Sequence, residues 1–270
     1  MPSRPPGGGC RHMSAMIQAM CETREAPAAR WNEPPHARLR RRLAALCMLF
    51  VCLALPMQHG RAASGTTAAA GAAQQCPGGS ATVEGGTPKD LETICAGVDA
   101  AIGFFARFDI RPTEPLSIEV AAKIPAEAGP TASGCFIEAK RRIYVVPYDQ
   151  FRRNATWFGV KIDREMYRAL AAHESAHAIA ACNFAIPNPT IQAKEYLAYV
   201  AMLSTMPAPL RDKAIRGARA VGFQSFERFT PLLYMFDPMR FGAEAYQHFK
   251  RLDDPGQAVR SILAGDELRD

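Results

Sequence analysis

Residues 173–177 read His-Glu-Ser-Ala-His and lie inside a largely apolar segment, residues 164–182, that we predict to be a helix. Apolar residues and the two histidines recur there at spacings of three and four, which is the period of a helix with one buried face. Side chains four residues apart share a helix face, so His173 and His177 can bind one metal ion. Glu174 then points toward the same pocket, where it can act on a water molecule. The motif therefore predicts a metal site.

Glu195 is the predicted third ligand, because catalytic zinc usually has three protein ligands and one open position. The proline-containing segment 183–189 ends the motif helix, and a second helix, 190–204, follows. His177 lies five residues before the end of the motif helix at 182, and Glu195 lies five residues after the next helix begins, so antiparallel packing puts both about 7.5 Å from the turn. A lone acid on an otherwise apolar helix is costly to bury without a partner. As alternatives, Glu195 is an acid exposed to solvent, and the two histidines are ordinary polar residues of a half-buried helix.

This arrangement resembles the zincin metallopeptidases, specifically the branch that uses a downstream glutamate. The resemblance rests on the motif at 173–177 and on Glu195, with a sheet upstream and helices downstream. The chain is also similar to an uncharacterised family of small exported bacterial proteins. The segments that carry this second resemblance are 178–184, 195–200 and 234–242.

The zincin resemblance implies an α+β, zincin-like fold and one catalytic Zn²⁺ on His173, His177 and Glu195. It also implies a peptide or protein substrate, with Glu174 as general base taking a proton from a zinc-activated water and passing it to the leaving amine. The better-known glutamate zincins often carry an acid four residues after the ligand, whereas this chain has Tyr199. The partner that orients a ligand histidine is therefore left open.

Two further residues are candidates for stabilising the transition state of such a reaction. Tyr199 lies one turn after Glu195, and His248 is the only other histidine after residue 62. Packing is the alternative role for Tyr199, and a surface position near a helix end is the alternative for His248. Strand 142–146 is a candidate edge for an extended peptide.

The N-terminal quarter of the chain has the pattern of an export signal. Arginines at the start of segment 38–62 precede a 14-residue apolar run, and small residues follow at a cleavage position near Ala62. We expect residues 1–37 to be disordered or a mis-annotated extension, with translation starting at a later methionine. The pattern predicts an exported bacterial protein, periplasmic or secreted, without a stable membrane anchor after cleavage. A retained anchor is the alternative.

The basic charge of the chain belongs to this N-terminal part. Residues 1–62 carry nine Arg and three Glu, a net charge of +6, which equals the formal net charge of the whole chain. The part after residue 62 is therefore close to neutral. We expect no nucleic acid partner, because a basic footprint is missing where the domain lies.

Four cysteines follow the signal, and an even number in an exported chain predicts two disulfides. The sequence alone leaves three pairings open. We favour Cys76–Cys95, which would tie an N-terminal arm to the first helix, together with Cys135–Cys182. Four buried free thiols are the alternative.

The order of predicted elements is a helix, a small sheet and then helices, which indicates a single α+β domain over residues 87–265. Segment 63–86 is poor in apolar bulk and predicts a flexible arm. The first helix is capped by Thr87 and runs to about residue 107. The remaining predicted elements are strands 116–121, 134–138 and 142–146, the last two as a hairpin, and helices 207–220, 237–250 and 257–263.

Three functional hypotheses follow from these observations. The first is an exported zinc peptidase. The second is a non-catalytic protein that keeps a zincin-like core to bind a metal or a partner. The third is a structural protein held together by disulfides, with no metal.

Overall fold

The computed structural model describes residues 72–129 and 131–269, which form a small sheet followed mainly by helices. These residues belong to one compact unit. The predicted extension (1–37) and signal peptide (38–62) lie outside them. The predicted α+β class is confirmed, and so is the predicted order of a sheet with one helix followed by a mainly helical part.

Five strands form a mixed sheet in the order β1-β2-β3-β5-β4. Strands β2, β3 and β5 run parallel, and β1 and β4 are antiparallel to their neighbours. The predicted hairpin is confirmed as β4 and β5, which turn through Arg141 at a φ of 50°. A separate hairpin is formed by β6 and β7. The bounds are β1 Gln74–Gln75, β2 Ala81–Glu84, β3 Leu116–Val120, β4 Gly134–Ile137, β5 Arg142–Val145, β6 Thr156–Trp157 and β7 Val160–Lys161.

The prediction of a flexible arm over 63–86 is wrong from residue 74 onward. That segment forms β1 and β2, and β2 lies inside the sheet with Ala81 and Val83 buried. Its side chains offer little apolar bulk, but the parallel ladder to β3 supplies backbone hydrogen bonds that composition does not reveal. The Cys76–Cys95 disulfide also fixes the segment to the first helix.

Eight α-helices occur in the described part of the chain. The predicted helices are confirmed, and Thr87, Asp163 and Thr190 cap three of them through side-chain hydrogen bonds. Two short helices, α2 and α6, were not predicted. None of the eight is long and apolar enough to cross a bilayer. The bounds are α1 Pro88–Ala106, α2 Tyr148–Phe151, α3 Arg164–Ala181, α4 Ile191–Thr205, α5 Ala208–Gly217, α6 Pro231–Phe236, α7 Pro238–Phe249 and α8 Pro255–Ala264.

The inner face of the sheet is covered by helices, and its strands alternate buried and partly exposed residues accordingly. Helix α3 packs against both α1 and α4. Contact with α1 is close at Gly97, where a Cβ atom would lie 2.5 Å from the Arg168 carbonyl oxygen. At the N-terminal ends of the two helices, buried Asp90 pairs with Arg164 at 2.6 Å. These contacts fix the position of α3, which carries the motif.

One of the two predicted disulfides is present. Cys76–Cys95 is confirmed as a disulfide, whereas Cys135–Cys182 is wrong, because both thiols are free. Phe136 and Cys182 line the same small cavity between the sheet and α3. Neighbouring residues of a strand point to opposite faces, so Cys135 faces away from Cys182.

Candidate metal centre

Helices α3 and α4 bring the predicted ligands together. Asp163 accepts a hydrogen bond from the Met166 N–H at the start of α3, and Thr190 caps α4 in the same way through Ala193. The segment between the two helices is short, so α4 returns along α3. The height estimated from the helix rise is confirmed, because His177 and Glu195 lie side by side.

Three ligand residues converge at this point. The Nε2 atoms of His173 and His177 are 3.1 Å apart. The Glu195 carboxylate places Oε2 at 3.6 Å from the first of these nitrogens and Oε1 at 3.5 Å from the second. The three residues are the only group of this kind that the described residues contain, with all ligand atoms within 4.8 Å of one another.

These separations fit a tetrahedral metal ion. Zinc bonded to nitrogen and oxygen at about 2.0–2.1 Å holds its ligand atoms about 3.3 Å apart. The two nitrogens are 3.1 Å apart, and each has one Glu195 oxygen near that value, Oε2 at 3.6 Å from His173 and Oε1 at 3.5 Å from His177. An imidazole–imidazole hydrogen bond would explain the shortest of them alone, but it leaves the approach of Glu195 to both nitrogens without a cause. The group could therefore hold a metal ion.

Burial supports the same conclusion. Glu195 is only 8% exposed, which argues against the solvated acid, and the neighbouring Lys194 pairs with Glu138 instead. Within residues 72–129 and 131–269, Glu195 Oε2 and His173 Nδ1 are buried without a hydrogen-bond partner. A buried polar atom without a partner costs about 1–3 kcal/mol, and a metal ion would relieve that cost for the carboxylate oxygen.

Burial shifts the pKa values of all three ligand residues. Burial and the neighbouring His177 hold the pKa of His173 well below its usual range, and burial with Lys194 lowers the pKa of His177 to about 4. Burial raises the pKa of Glu195 to about 7, against the opposing effects of Tyr234 and Lys194. Both imidazoles are therefore neutral at pH 7, which is the state that binds metals.

Glu174 lies between this group and strand β4. The Phe136 N–H donates a hydrogen bond to its carboxylate, which lowers the pKa, but burial and the nearby Glu195 raise it well above the usual range. On the same strand, a Cβ atom at Gly134 would lie 2.9 Å from both Cγ and Oε1 of Glu174. The position of Glu174 therefore depends on the lack of a side chain at Gly134.

We expect Gly134→Ala to displace the Glu174 side chain and to destabilise the fold by about 1–3 kcal/mol through overpacking. The free energy of unfolding in urea measures this effect. Gly103→Ala is the matched control, because a Cβ atom there meets no atom of the described part of the chain within 4 Å. On helix α1 that control should be neutral or stabilising by up to about 1 kcal/mol. Equal effects of the two substitutions would contradict the close contact between β4 and Glu174.

The two candidates for transition-state stabilisation have different surroundings. Tyr199 belongs to the site, because its buried ring lies 4.4 Å from the His173 ring, between centroids. Gly242 of α7 makes room for it, since a Cβ atom there would lie 2.5 Å from Tyr199 Cδ1. His248 is instead buried in an aromatic cluster, where Nδ1 lies 2.8 Å from the Tyr196 hydroxyl oxygen. The structure does not bring His248 to the ligand group, nor does it leave it on the surface.

The proposed peptide edge at 142–146 is wrong, because β5 pairs with β3 on one side and with β4 on the other. On this side of the sheet the edge strand is β4. The Val146 N–H donates to the Ser133 carbonyl at 2.9 Å, and this bond determines which residues of β4 are hydrogen-bonded to β5. Because hydrogen-bonded pairs alternate along an antiparallel ladder, the backbone groups of Gly134 and Phe136 point away from β5. The edge beside Glu174 is therefore formed by these two residues.

Sequence reasoning also missed Tyr234, whose hydroxyl hydrogen-bonds to the Glu195 carboxylate. The residue lies on α6, a helix too short to give a periodic signal. In the sequence, segment 234–242 contributes only to a family resemblance. A tyrosine amid exposed apolar residues gives no sign that it contacts a ligand far away in sequence.

Comparisons with known proteins yield a family and no function. No curated protein and no solved structure matches the chain. Residues 81–270 match the family described as a family of unknown function, DUF6639. The match covers more than two thirds of the chain and includes the whole ligand group, Glu174 and Tyr234. The chain therefore belongs to the DUF6639 family.

Proposed function

We propose that the protein is an exported, zincin-like peptidase that uses one zinc ion. The observation that carries the proposal is the convergence of His173, His177 and Glu195 at near-tetrahedral separations, with Glu174 directly beside them. Two neutral nitrogens and one carboxylate oxygen are the donor set of many hydrolytic zinc sites. The set leaves one coordination position for chemistry.

Zinc, when bound, supplies a Lewis acid that polarises a peptide carbonyl and makes a water molecule more acidic. The protein contributes the base. Glu174 is buried, and the proton affinity of its carboxylate is high without a cation nearby. Its position is fixed by the Phe136 N–H, so it can accept a proton at one oxygen and deliver it to the leaving amine.

The edge of β4 supports a peptide as the substrate class. The backbone N–H and C=O of Gly134 and the C=O of Phe136 point away from β5, beside Glu174, which accepts the Phe136 N–H. An extended peptide that pairs with such an edge gains main-chain hydrogen bonds independent of its side chains. This pairing would run the substrate backbone past the ligand group. Tyr199 is a second polar group in this space, and we propose it as a donor to the developing oxyanion.

The proposal that the protein is exported rests on two independent features. The 38–62 segment has the pattern of a signal peptide, and the Cys76–Cys95 disulfide fits an oxidising compartment. We therefore place the activity in the periplasm or outside the cell.

A non-catalytic metal-binding protein is the second candidate. Two observations favour it. The first is that His173 Nδ1 is buried without a partner among the residues described, whereas ligand histidines almost always donate that N–H to a neighbour. The burial of His173, Glu174 and Glu195 also limits access to the group.

A cleavage assay separates the two candidates. Purified protein is loaded with one equivalent of zinc and incubated with a diverse peptide library, and the products are read by mass spectrometry. We expect cleavage that stops with a chelator and resumes when zinc is restored. Bound zinc without any cleavage across the library would favour the non-catalytic protein.

A further inference from the structure

Helix α6 is a short, weakly anchored element near the candidate metal centre. It has six residues, and none of them is buried. Leu232, Met235 and Phe236 are 63%, 71% and 85% exposed. These three lie at spacings of three and four, so one whole face of the helix points to solvent. What holds α6 in place must therefore come from its other face.

Tyr234 is on that other face. At 100° per residue it lies opposite the exposed stripe. Its ring packs on Phe241 of α7, with centroids 5.7 Å apart, and its hydroxyl hydrogen-bonds to Glu195. Leu233 is the other partly buried residue that faces the core. The hydrogen bond is therefore the polar contact through which α6 reaches the ligand group.

Glu195 can serve two partners at once. A carboxylate has two oxygens that accept several hydrogen bonds or a metal bond. Among the described residues, Oε2 of Glu195 is buried without a hydrogen-bond partner, and it lies 3.6 Å from His173 Nε2. One oxygen is thus available to a cation while the carboxylate is held through the hydroxyl of Tyr234. Ligating carboxylates commonly depend on such outer partners for their orientation.

We propose that Tyr234 is a positioning residue for the Glu195 ligand and that the same hydrogen bond holds α6 against the metal centre. The hydroxyl fixes the carboxylate in the rotamer that faces both imidazoles. Metal binding and the packing of α6 against α4 and α7 thereby stabilise each other. This inference rests on the metal site of the proposed function, but not on peptide hydrolysis.

Tyr199 cannot take this role. It lies on α4 itself, four residues after Glu195, and its ring packs on His173 and Phe158. It is buried in the core and has no link to α6 of the kind that Tyr234 provides. Its ring contact is with His173, so its role in the site differs from holding Glu195.

The test compares Tyr234→Phe with the wild type and with Tyr246→Phe. The control removes a hydroxyl from a largely buried tyrosine of α7 whose ring faces Arg211. Zinc affinity is measured by competition with a chromogenic chelator. Backbone exchange of residues 231–236 is measured by hydrogen–deuterium exchange on metal-free protein. We expect Tyr234→Phe to weaken zinc binding about 10-fold and to speed exchange in α6, while the control changes neither.

Each outcome decides one part of the inference. Unchanged zinc affinity in Tyr234→Phe would overturn the positioning role, and unchanged exchange in α6 would overturn the anchoring role. Tyr234→Leu repeats both measurements without any polar group at the position and must agree in direction. Weaker zinc binding without cleavage in any variant would remove the peptidase and leave this inference intact. A wild type that binds no zinc would overturn both.

Discussion

Glu174→Gln is expected to lower kcat/KM for peptide cleavage by about 10²–10⁴-fold, the usual contribution of a general base. The amide is close to isosteric with the carboxylate, and its oxygen can still accept the Phe136 N–H. Because Glu174 is not in the ligand group, zinc stoichiometry should stay at one per chain. The measurement is steady-state cleavage of a library-selected peptide, with metal analysis of the same sample.

The matched control is Glu165→Gln, the same substitution on the same helix. Glu165 is exposed in the first turn of α3 and lies 3.7 Å from Arg168. Surface pairs of this kind contribute little to stability, so activity and zinc content should match the wild type. An active Glu174→Gln variant, or equal losses in both variants, would remove Glu174 from the proposed reaction.

Zinc affinity is expected to rise about tenfold per pH unit between about pH 5 and pH 7 and then to level off. The reason is the proton on Glu195, whose pKa burial raises to about 7 in the metal-free protein. Below that pH, zinc must displace the proton; above it, the carboxylate is already free. The histidines add no slope in this range, because burial keeps the pKa of His177 at about 4 and that of His173 well below its usual range.

Three variants test this assignment by competition with a chelator of known affinity at each pH. Glu195→Gln should bind zinc weakly and without the slope. His177→Ala should lose more than the about 10–100-fold that an outer partner contributes, since a ligand itself is gone. His248→Gln should bind zinc as the wild type does, because His248 lies in the aromatic cluster. A wild-type affinity that is flat from pH 5 to pH 7 would contradict the raised pKa of Glu195.

The ligand group could be predicted because its determinants are local. The spacing of His173 and His177 follows from the helix period alone. Glu195 follows from counting residues on both sides of a short, proline-marked break. Sequence pattern also predicted the hairpin of β4 and β5, and the positions of the cysteines favoured the Cys76–Cys95 disulfide.

The rest depends on contacts between segments that are distant in sequence. Segment 74–84 looked like an arm because its stability comes from a ladder with β3 and not from its own side chains. Gly134 and Phe136 gain their roles only when β4 becomes the edge beside α3. No local sequence pattern marks Tyr234. A polar residue near a helix end suggests a surface position for His248, but its packing against aromatic rings buries it.

The most direct measurement of the central claim is zinc K-edge X-ray absorption on protein loaded with one equivalent of zinc. The proposed site predicts only nitrogen and oxygen neighbours at about 2.0–2.1 Å, with the outer scattering of two imidazoles. The free thiols supply the contrasting outcome, although burial and Glu174 raise the pKa of Cys135 to about 12 and keep it protonated. A sulfur neighbour at about 2.3 Å, or a single imidazole, would contradict a zinc site formed by His173, His177 and Glu195.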